Sequence, residues 1–108
     1  MIFEPDSSQM PPNGAIVLKS MLDDAKRECL DEARAAVVVE EVRALPLGKT
    51  SAGPTSRTQQ VAAALRELSS TGLRPYEGSL SPDSERARRL GLKLNQVLVE
   101  LTCAPRGA

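Results

Sequence analysis

The sequence predicts an all-α domain, a three-helix bundle with a long first helix. Apolar side chains recur every three or four residues in three segments, which is the spacing of one helix face. The core must be aliphatic, because Phe3 and Tyr76 are the only aromatic residues, and such side chains suit helix-on-helix packing better than a β-sandwich. With 108 residues, 41% of them hydrophobic, we expect one domain over 14–103, between an extended, flexible arm at 1–13 and a frayed tail at 104–108.

The first helix is predicted over 14–45. Asn13 is a plausible N-cap, because its side-chain oxygen can accept a hydrogen bond from a helix N–H. Pro46 ends the helix, since proline disfavours helical backbone in the residue before it. At about 1.5 Å per residue the helix would be roughly 48 Å long, more than the other two helices could cover. Its apolar stripe consists of Leu18, Leu22, Ala25, Cys29, Ala33 and Ala36.

A strand is the alternative for the end of this helix. Residues 36–39 are one alanine and three valines, which are apolar all the way round a helix and lose rotamer freedom there. A strand over about 36–44 could pair with another over 95–102, giving an α+β fold with a small sheet. We favour the helix, because no turn signal precedes Val37 and good helix formers follow it, namely Glu40, Glu41, Arg43 and Ala44.

The second helix is predicted over 57–71, after a flexible linker at 46–57. Ser56 and Gln59 fit a capping box, in which each side chain binds a backbone N–H of the other residue. Gly72 is expected to end the helix in the left-handed conformation.

The third helix is predicted over 82–101. Ser81 would cap it and Pro82 would occupy the first helical position, where a missing N–H does no harm. Gly91 weakens its interior. The apolar seam repeats at intervals of three and four residues and consists of Ala87, Leu90, Leu94, Val97 and Leu101.

The residue types that are missing exclude several kinds of chemistry. Histidine is absent, so neither a Ser–His nor a Cys–His nucleophile pair can form. The two cysteines, Cys29 and Cys103, cannot complete a tetrahedral zinc site within one chain. They could form one disulfide, although a single pair is too few to indicate an oxidising compartment. We therefore expect no enzyme activity, no cofactor and no metal.

Two further sequence patterns resemble catalytic sites but lack the residues or the geometry that such sites need. Gly48–Thr50 resembles the end of a phosphate-binding loop, but Arg43 stands where that motif needs its first glycine. The motif must also open a helix directly, and Ser-Ala-Gly-Pro follows Thr50. Adjacent acidic residues do not face each other on a helix, so we interpret three pairs as solvated faces, namely Asp23–Asp24, Asp31–Glu32 and Glu40–Glu41.

The ends and the hydropathy of the chain favour a cytoplasmic protein. The first 14 residues, MIFEPDSSQMPPNG, lack the basic and apolar regions of a signal peptide. No apolar run approaches the roughly 20 residues that span a bilayer. We expect no membrane partner.

Charge is unevenly distributed, although the formal net charge is zero. Residues 1–45 hold nine acidic and five basic side chains, and residues 46–108 hold five acidic and nine basic ones. This asymmetry indicates either a basic binding surface or two complementary faces that meet inside the fold. Arg86, Arg89 and Lys93 would share one face of the third helix and could contact nucleic-acid phosphates.

From these patterns we predict a small non-catalytic protein–protein interaction module that regulates, inhibits or chaperones a macromolecular partner. The surplus apolar surface of a long first helix would meet a second copy, so a homo-oligomer is expected. Val38, Val42 and Leu45 are predicted to make the apolar contacts, with Arg86, Arg89 and Lys93 steering the partner electrostatically. The alternative is a small DNA-binding regulator that uses the same basic face.

Overall fold

The computed structural model describes residues 9–29, 35–69 and 73–103. Within them the chain is α+β, with three helices and one four-stranded mixed sheet. In chain order the elements are α1 (Gly14–Glu28), β1 (Ala35–Val42), β2 (Ser51–Ala52), α2 (Ser56–Leu68), β3 (Tyr76–Leu80), α3 (Glu85–Leu90) and β4 (Val97–Cys103).

The all-α helical bundle is therefore wrong, and the α+β alternative is confirmed. The first helix ends at Glu28, and the valine run lies in β1, which pairs antiparallel with β4 as the alternative required. Three successive valines suit a strand that is buried on both faces better than a helix that can bury only one. The third helix spans six residues rather than twenty, because Gly91 ends it in the left-handed conformation at φ +68°.

The strand order is β2-β3-β1-β4, so β1 is hydrogen-bonded on both sides. It runs parallel to β3 and antiparallel to β4, and β2 runs antiparallel to β3. The parallel connection from β1 to β3 contains α2, since parallel neighbours need a crossover. Val38 lies opposite Tyr76 on one side and Glu100 on the other.

The main core lies between the sheet and the two longer helices. Helix α1 packs over β4, and α2 packs over β1 and β3. The predicted stripe is buried at Leu18, Leu22, Ala25 and Cys29, whereas Ala36 is exposed on β1 and residue 33 lies outside the described residues. The buried cluster consists of Leu18, Leu22, Val37, Val39, Val61, Leu65, Leu73 and Val97.

The predicted helix ends need correction. Thr55, not Ser56, is the N-cap of α2, and its capping box is closed by Thr58 one residue before the predicted Gln59. Asn13 occupies the N-cap position of α1 without a side-chain hydrogen bond to the helix. Residue 72, the predicted end of the second helix, lies outside the described residues. Ser84, rather than Ser81, caps α3 by accepting a hydrogen bond from the Ala87 N–H.

The opposite face of the sheet is only partly covered. Arg86 on α3 reaches over it and donates to Glu40 of β1 at 2.6 Å and to Glu100 of β4. The Tyr76 ring lies over Gly78, where an added Cβ would be 3.1 Å from the ring carbon Cε1. Val42 and Leu80 are buried on this face as well, so Arg86 and the Tyr76 ring supplement a small aliphatic patch.

A buried ion pair fixes the end of β1 against the start of α2. Arg57 Nη1 lies 2.7 Å from Glu41 Oε2, and the two side chains are only 9% and 7% exposed. Arg57 also donates to Asn95 Oδ1 at 2.9 Å. Asn95 adopts a left-handed φ of +68° in the turn before β4, a conformation that asparagine tolerates better than most residues. The network thus links β1, α2 and the entry to β4.

We predict that breaking this pair from one side will destabilise the domain. Arg57→Leu leaves the Glu41 carboxylate buried without its guanidinium partner, which should cost about 3 kcal/mol in the free energy of unfolding measured with urea. Adding Glu41→Leu should restore most of that loss. Lys19→Ala, which breaks the exposed 2.9 Å pair with Asp23, is the control and should cost less than about 1 kcal/mol. Equal losses for the buried and exposed pairs would contradict the prediction.

A disulfide joins the end of α1 to the end of β4. Cys29, at the C-cap of α1, bonds to Cys103, the last residue of β4, across a sequence separation of 74 residues. Both cysteines are therefore oxidised in this one disulfide, and the described residues contain no free thiol.

Reduction should lower stability because it releases a long loop in the unfolded chain. The loop-entropy estimate for a closure of this length is about 4 kcal/mol at 25 °C. We expect urea unfolding with and without dithiothreitol to differ by up to that amount, whereas the C29S/C103S double variant should be insensitive to the reductant. Identical midpoints for oxidised and reduced wild-type protein would contradict the assignment.

Candidate functional site

An open groove runs between α1 and the outer side of β4. Its helix wall is formed by Met21, Asp24 and Glu28, and its strand wall by residues 99–101, which are Val99, Glu100 and Leu101. Met21, Val99 and Leu101 also pack against the main core, so the floor of the groove is continuous with the interior. We call this feature the α1–β4 groove.

The outer edge of β4 lacks a strand partner among the described residues. Val42 donates its backbone N–H to the Gln96 carbonyl at 2.9 Å, which fixes the alternation of the ladder. In the observed register every second residue of β4 bonds to β1, so Leu98 and Glu100 make these hydrogen bonds. The N–H and C=O groups of Val99 and Leu101 consequently point away from the sheet, into the groove.

The edge also lacks the features that usually prevent strand addition. Such strands are commonly protected by proline, lysine, a bulge or very short length. The sequence of β4, VLVELTC, contains neither proline nor lysine and extends over seven residues. Its one charged side chain, Glu100, is held by Arg86 on the opposite face of the sheet. By contrast, β2 at the other edge has only two residues.

The groove is acidic on its helix wall. Asp24 is half-buried and pairs with Arg27, whose side chain is 77% exposed. Glu28 is exposed and makes no ion pair with another described residue. Asp23 points elsewhere, and its hydrogen bond from Lys19 lowers the pKa of its carboxyl group. The two carboxylates of the helix wall therefore have no buried cation beside them among the described residues.

The three predicted apolar contact residues do not form one surface. Val42 is fully buried, so a partner could not reach it in the folded chain. Val38 is half-buried on the α3 side of the sheet, and Leu45 is half-buried in the loop after β1. The helix on which the three were expected to share a stripe does not exist, because β1 occupies most of this segment.

The predicted basic face is also divided. Arg86 is engaged by Glu40 and Glu100, Arg89 is exposed on α3, and Lys93 lies beyond Gly91, outside the helix. The spacing that placed the three on one face required a helix through residue 93. Electrostatic steering by Arg89 and Lys93 stays a prediction.

The linker contains more structure than the sequence suggested. Residues Pro46–Lys49 form a turn closed by a 3.0 Å backbone hydrogen bond, with Gly48 at φ +86°. Leu47 at its tip is fully exposed, and Ser51–Ala52 form β2. Among the described residues no group of acidic and cysteine side chains could hold a metal ion.

Sequence reasoning missed the α1–β4 groove. The signal was present in β4, where a run of branched side chains without lysine or proline is typical of a strand whose edge can accept a neighbour. The spacing of Val97 and Leu101 instead placed them in the apolar seam of the predicted third helix. The acidic wall could not be found from spacing alone, since it becomes a wall only when α1 lies beside β4.

The chain matches no known protein-family model, and no curated protein sequence matches it significantly. Functional interpretation therefore depends on the geometry of the groove.

Hydrogen exchange will test the direction of the β4 backbone. In the free protein we expect the amides of Leu98 and Glu100, which bond to β1, to exchange roughly a thousandfold more slowly than those of Val99 and Leu101. Residue-resolved exchange by NMR measures this directly. Uniform protection along β4 would show that its outer edge is already paired.

Proposed function

We propose that this chain is a small non-catalytic protein–protein interaction module that acts as a regulator, inhibitor or chaperone of a macromolecular partner. In this proposal the partner inserts an extended segment into the α1–β4 groove, where it becomes a fifth strand of the sheet. Main-chain hydrogen bonds to Val99 and Leu101 would supply affinity, and the side chains of the groove would supply selectivity.

One observation supports this proposal above the others: the outward-facing backbone of Val99 and Leu101, which has no strand partner among the described residues, lies beside α1. An added strand would lie about 4.8 Å from β4, on the side where α1 and β4 together line the groove. The floor is apolar at Met21, Val99 and Leu101, so a docked segment can bury side chains as well as satisfy its backbone.

The long first helix no longer supports self-association, because the structure does not contain that helix. Self-association was expected from the surplus surface of a helix over 14–45, whereas α1 has 15 residues and Val39 is buried in β1. A homo-oligomer stays a prediction, and sedimentation of the free protein tests it.

The DNA-binding alternative is not favoured by any specific observation. Its basic face required a continuous third helix, and α3 has only six residues.

The expectation of a cytoplasmic location stays a prediction, and the Cys29–Cys103 disulfide counts against it, because disulfides persist mainly in oxidising compartments. None of the helices within the described ranges combines the length and the apolar character needed to cross a membrane.

A peptide selection that assumes no ligand chemistry tests the proposal. Random heptapeptides displayed on phage are selected against the oxidised protein, and enriched sequences are synthesised. We expect a bound peptide to slow exchange of the Val99 and Leu101 amides at least about tenfold while leaving Leu98 and Glu100 unchanged, because only the first two point outward.

The control is a pair of variants at one outward-pointing position. Leu101→Pro removes the N–H that an added strand would use, and Leu101→Ala truncates the side chain further but keeps that N–H. Peptide binding should be lost in the proline variant and retained in the alanine variant, with folding of both checked by circular dichroism. Failure to enrich any peptide, or protection that falls outside β4, would contradict the proposal.

A further inference from the structure

The α1–β4 groove has a direction, which the disulfide fixes. Cys29 at the end of α1 lies level with Cys103 at the end of β4. Leu18 and Leu22 share the core cluster with Val97, so α1 runs alongside β4 in the same direction. From Met21 to Cys29 the helix rises about 12 Å, and from Val99 to Cys103 the strand advances about 14 Å. Met21 is therefore level with Val99.

The two ends of the groove consequently differ in chemistry. Near Val99 the helix wall is Met21, and both side chains are apolar. Moving toward Cys103, the helix wall presents Asp24 about 4–5 Å further along and Glu28 about 6 Å beyond that. The second interval is close to the advance of two strand residues, about 7 Å, so alternate side chains of an added strand would meet one carboxylate each.

These carboxylates are available to a ligand. Arg27, the ion-pair partner of Asp24, is highly exposed, and such pairs are weak and exchange readily for better ones. Glu28 has no ion-pair partner among the described residues. Because β4 itself contributes no basic side chain, a basic occupant would meet these carboxylates without a competing cation from the strand.

A second copy of β4 fits this groove poorly. Symmetric pairing of two β4 strands would place them about 4.8 Å apart, and α1 packs over β4 in each copy. The two α1 helices would then approach more closely than the 8–10 Å at which helices pack. A copy of VLVELTC would also bring Glu100, a further negative charge, to the acidic wall. Both arguments favour a separate extended segment that carries no helix of its own on this face.

We propose, as a refinement that rests on the proposed function, that the groove selects an extended protein segment with the order basic-x-basic-x-aliphatic, bound antiparallel to β4. Antiparallel addition is the more stable ladder, and it places the N-terminal part of the segment at the Cys103 end. The first basic residue then meets Glu28, the second meets Asp24, and the aliphatic residue lies between Met21 and Val99.

Four matched peptides test this order. The basic probe is acetyl-Thr-Lys-Thr-Lys-Thr-Val-Thr-amide, and its reverse, acetyl-Thr-Val-Thr-Lys-Thr-Lys-Thr-amide, has the same composition and charge. The neutral and acidic probes carry Gln or Glu in place of both lysines. Binding is measured by NMR titration of the oxidised protein at low and at physiological ionic strength.

We expect the basic probe to bind about tenfold more tightly than the neutral one and at least fivefold more tightly than its reverse, since each half-exposed ion pair contributes roughly a threefold to fivefold effect. The acidic probe should not bind. The D24N/E28Q variant should bind the basic and neutral probes equally, whereas D23N/E67Q, which removes the same charge away from the groove, should keep the preference.

The outcomes separate this inference from the proposed function. Equal binding of the basic and reversed probes overturns the directional order, and equal binding of the basic and neutral probes overturns the role of charge. In both cases strand addition stands if β4 amides are protected. If no probe binds but displayed peptides are enriched and protect β4, the inference fails alone. If neither probes nor displayed peptides bind, both proposals fail.

Discussion

The architecture depends on one constraint, the need of β1 to satisfy its backbone on both sides while one of its faces is buried and the other is partly covered. Its N–H and C=O groups bond to β3 on one side and to β4 on the other. Its helix-facing side chains, Val37 and Val39, enter the core, and Glu40 on the opposite face is covered by Arg86. Every other strand, by contrast, has at least part of one edge without a partner within the described residues.

The uneven charge of the sequence is resolved largely inside the fold. Glu40 and Glu41 come from the acidic first half of the chain, and their partners Arg86 and Arg57 come from the basic second half. The two ion pairs lie on opposite faces of β1, because adjacent residues of a strand point in opposite directions. The asymmetry therefore indicates intramolecular pairing here more than a basic surface for nucleic acid. Two further carboxylates of the acidic half, Asp24 and Glu28 of α1, line the α1–β4 groove.

The same geometry that closes the core leaves β4 open. Helix α1 and β4 are held side by side by the disulfide and by the packing of Met21 and Leu101 on the core. The outward groups of Val99 and Leu101 are thereby presented on a strand that is already ordered, so an incoming segment would bear most of the cost of ordering. Pre-organisation of this kind would lower the free-energy cost of binding in the proposed strand addition.

The sequence by itself determined the start of α1 but not its end, the position of α2 to within a residue at its start, the buried stripe at Leu18 and Leu22, and the absence of histidine chemistry. These follow from local spacing, capping and composition. Only the tertiary structure decided that residues 35–42 and 97–103 are strands, that Glu41 meets Arg57, and that Asp24 and Glu28 line a groove. A run such as Val37–Val39 is compatible with a buried helix or a buried strand. The choice is made by neighbouring strands that lie 38 residues away in β3 and 60–64 residues away in β4, which no local pattern predicts.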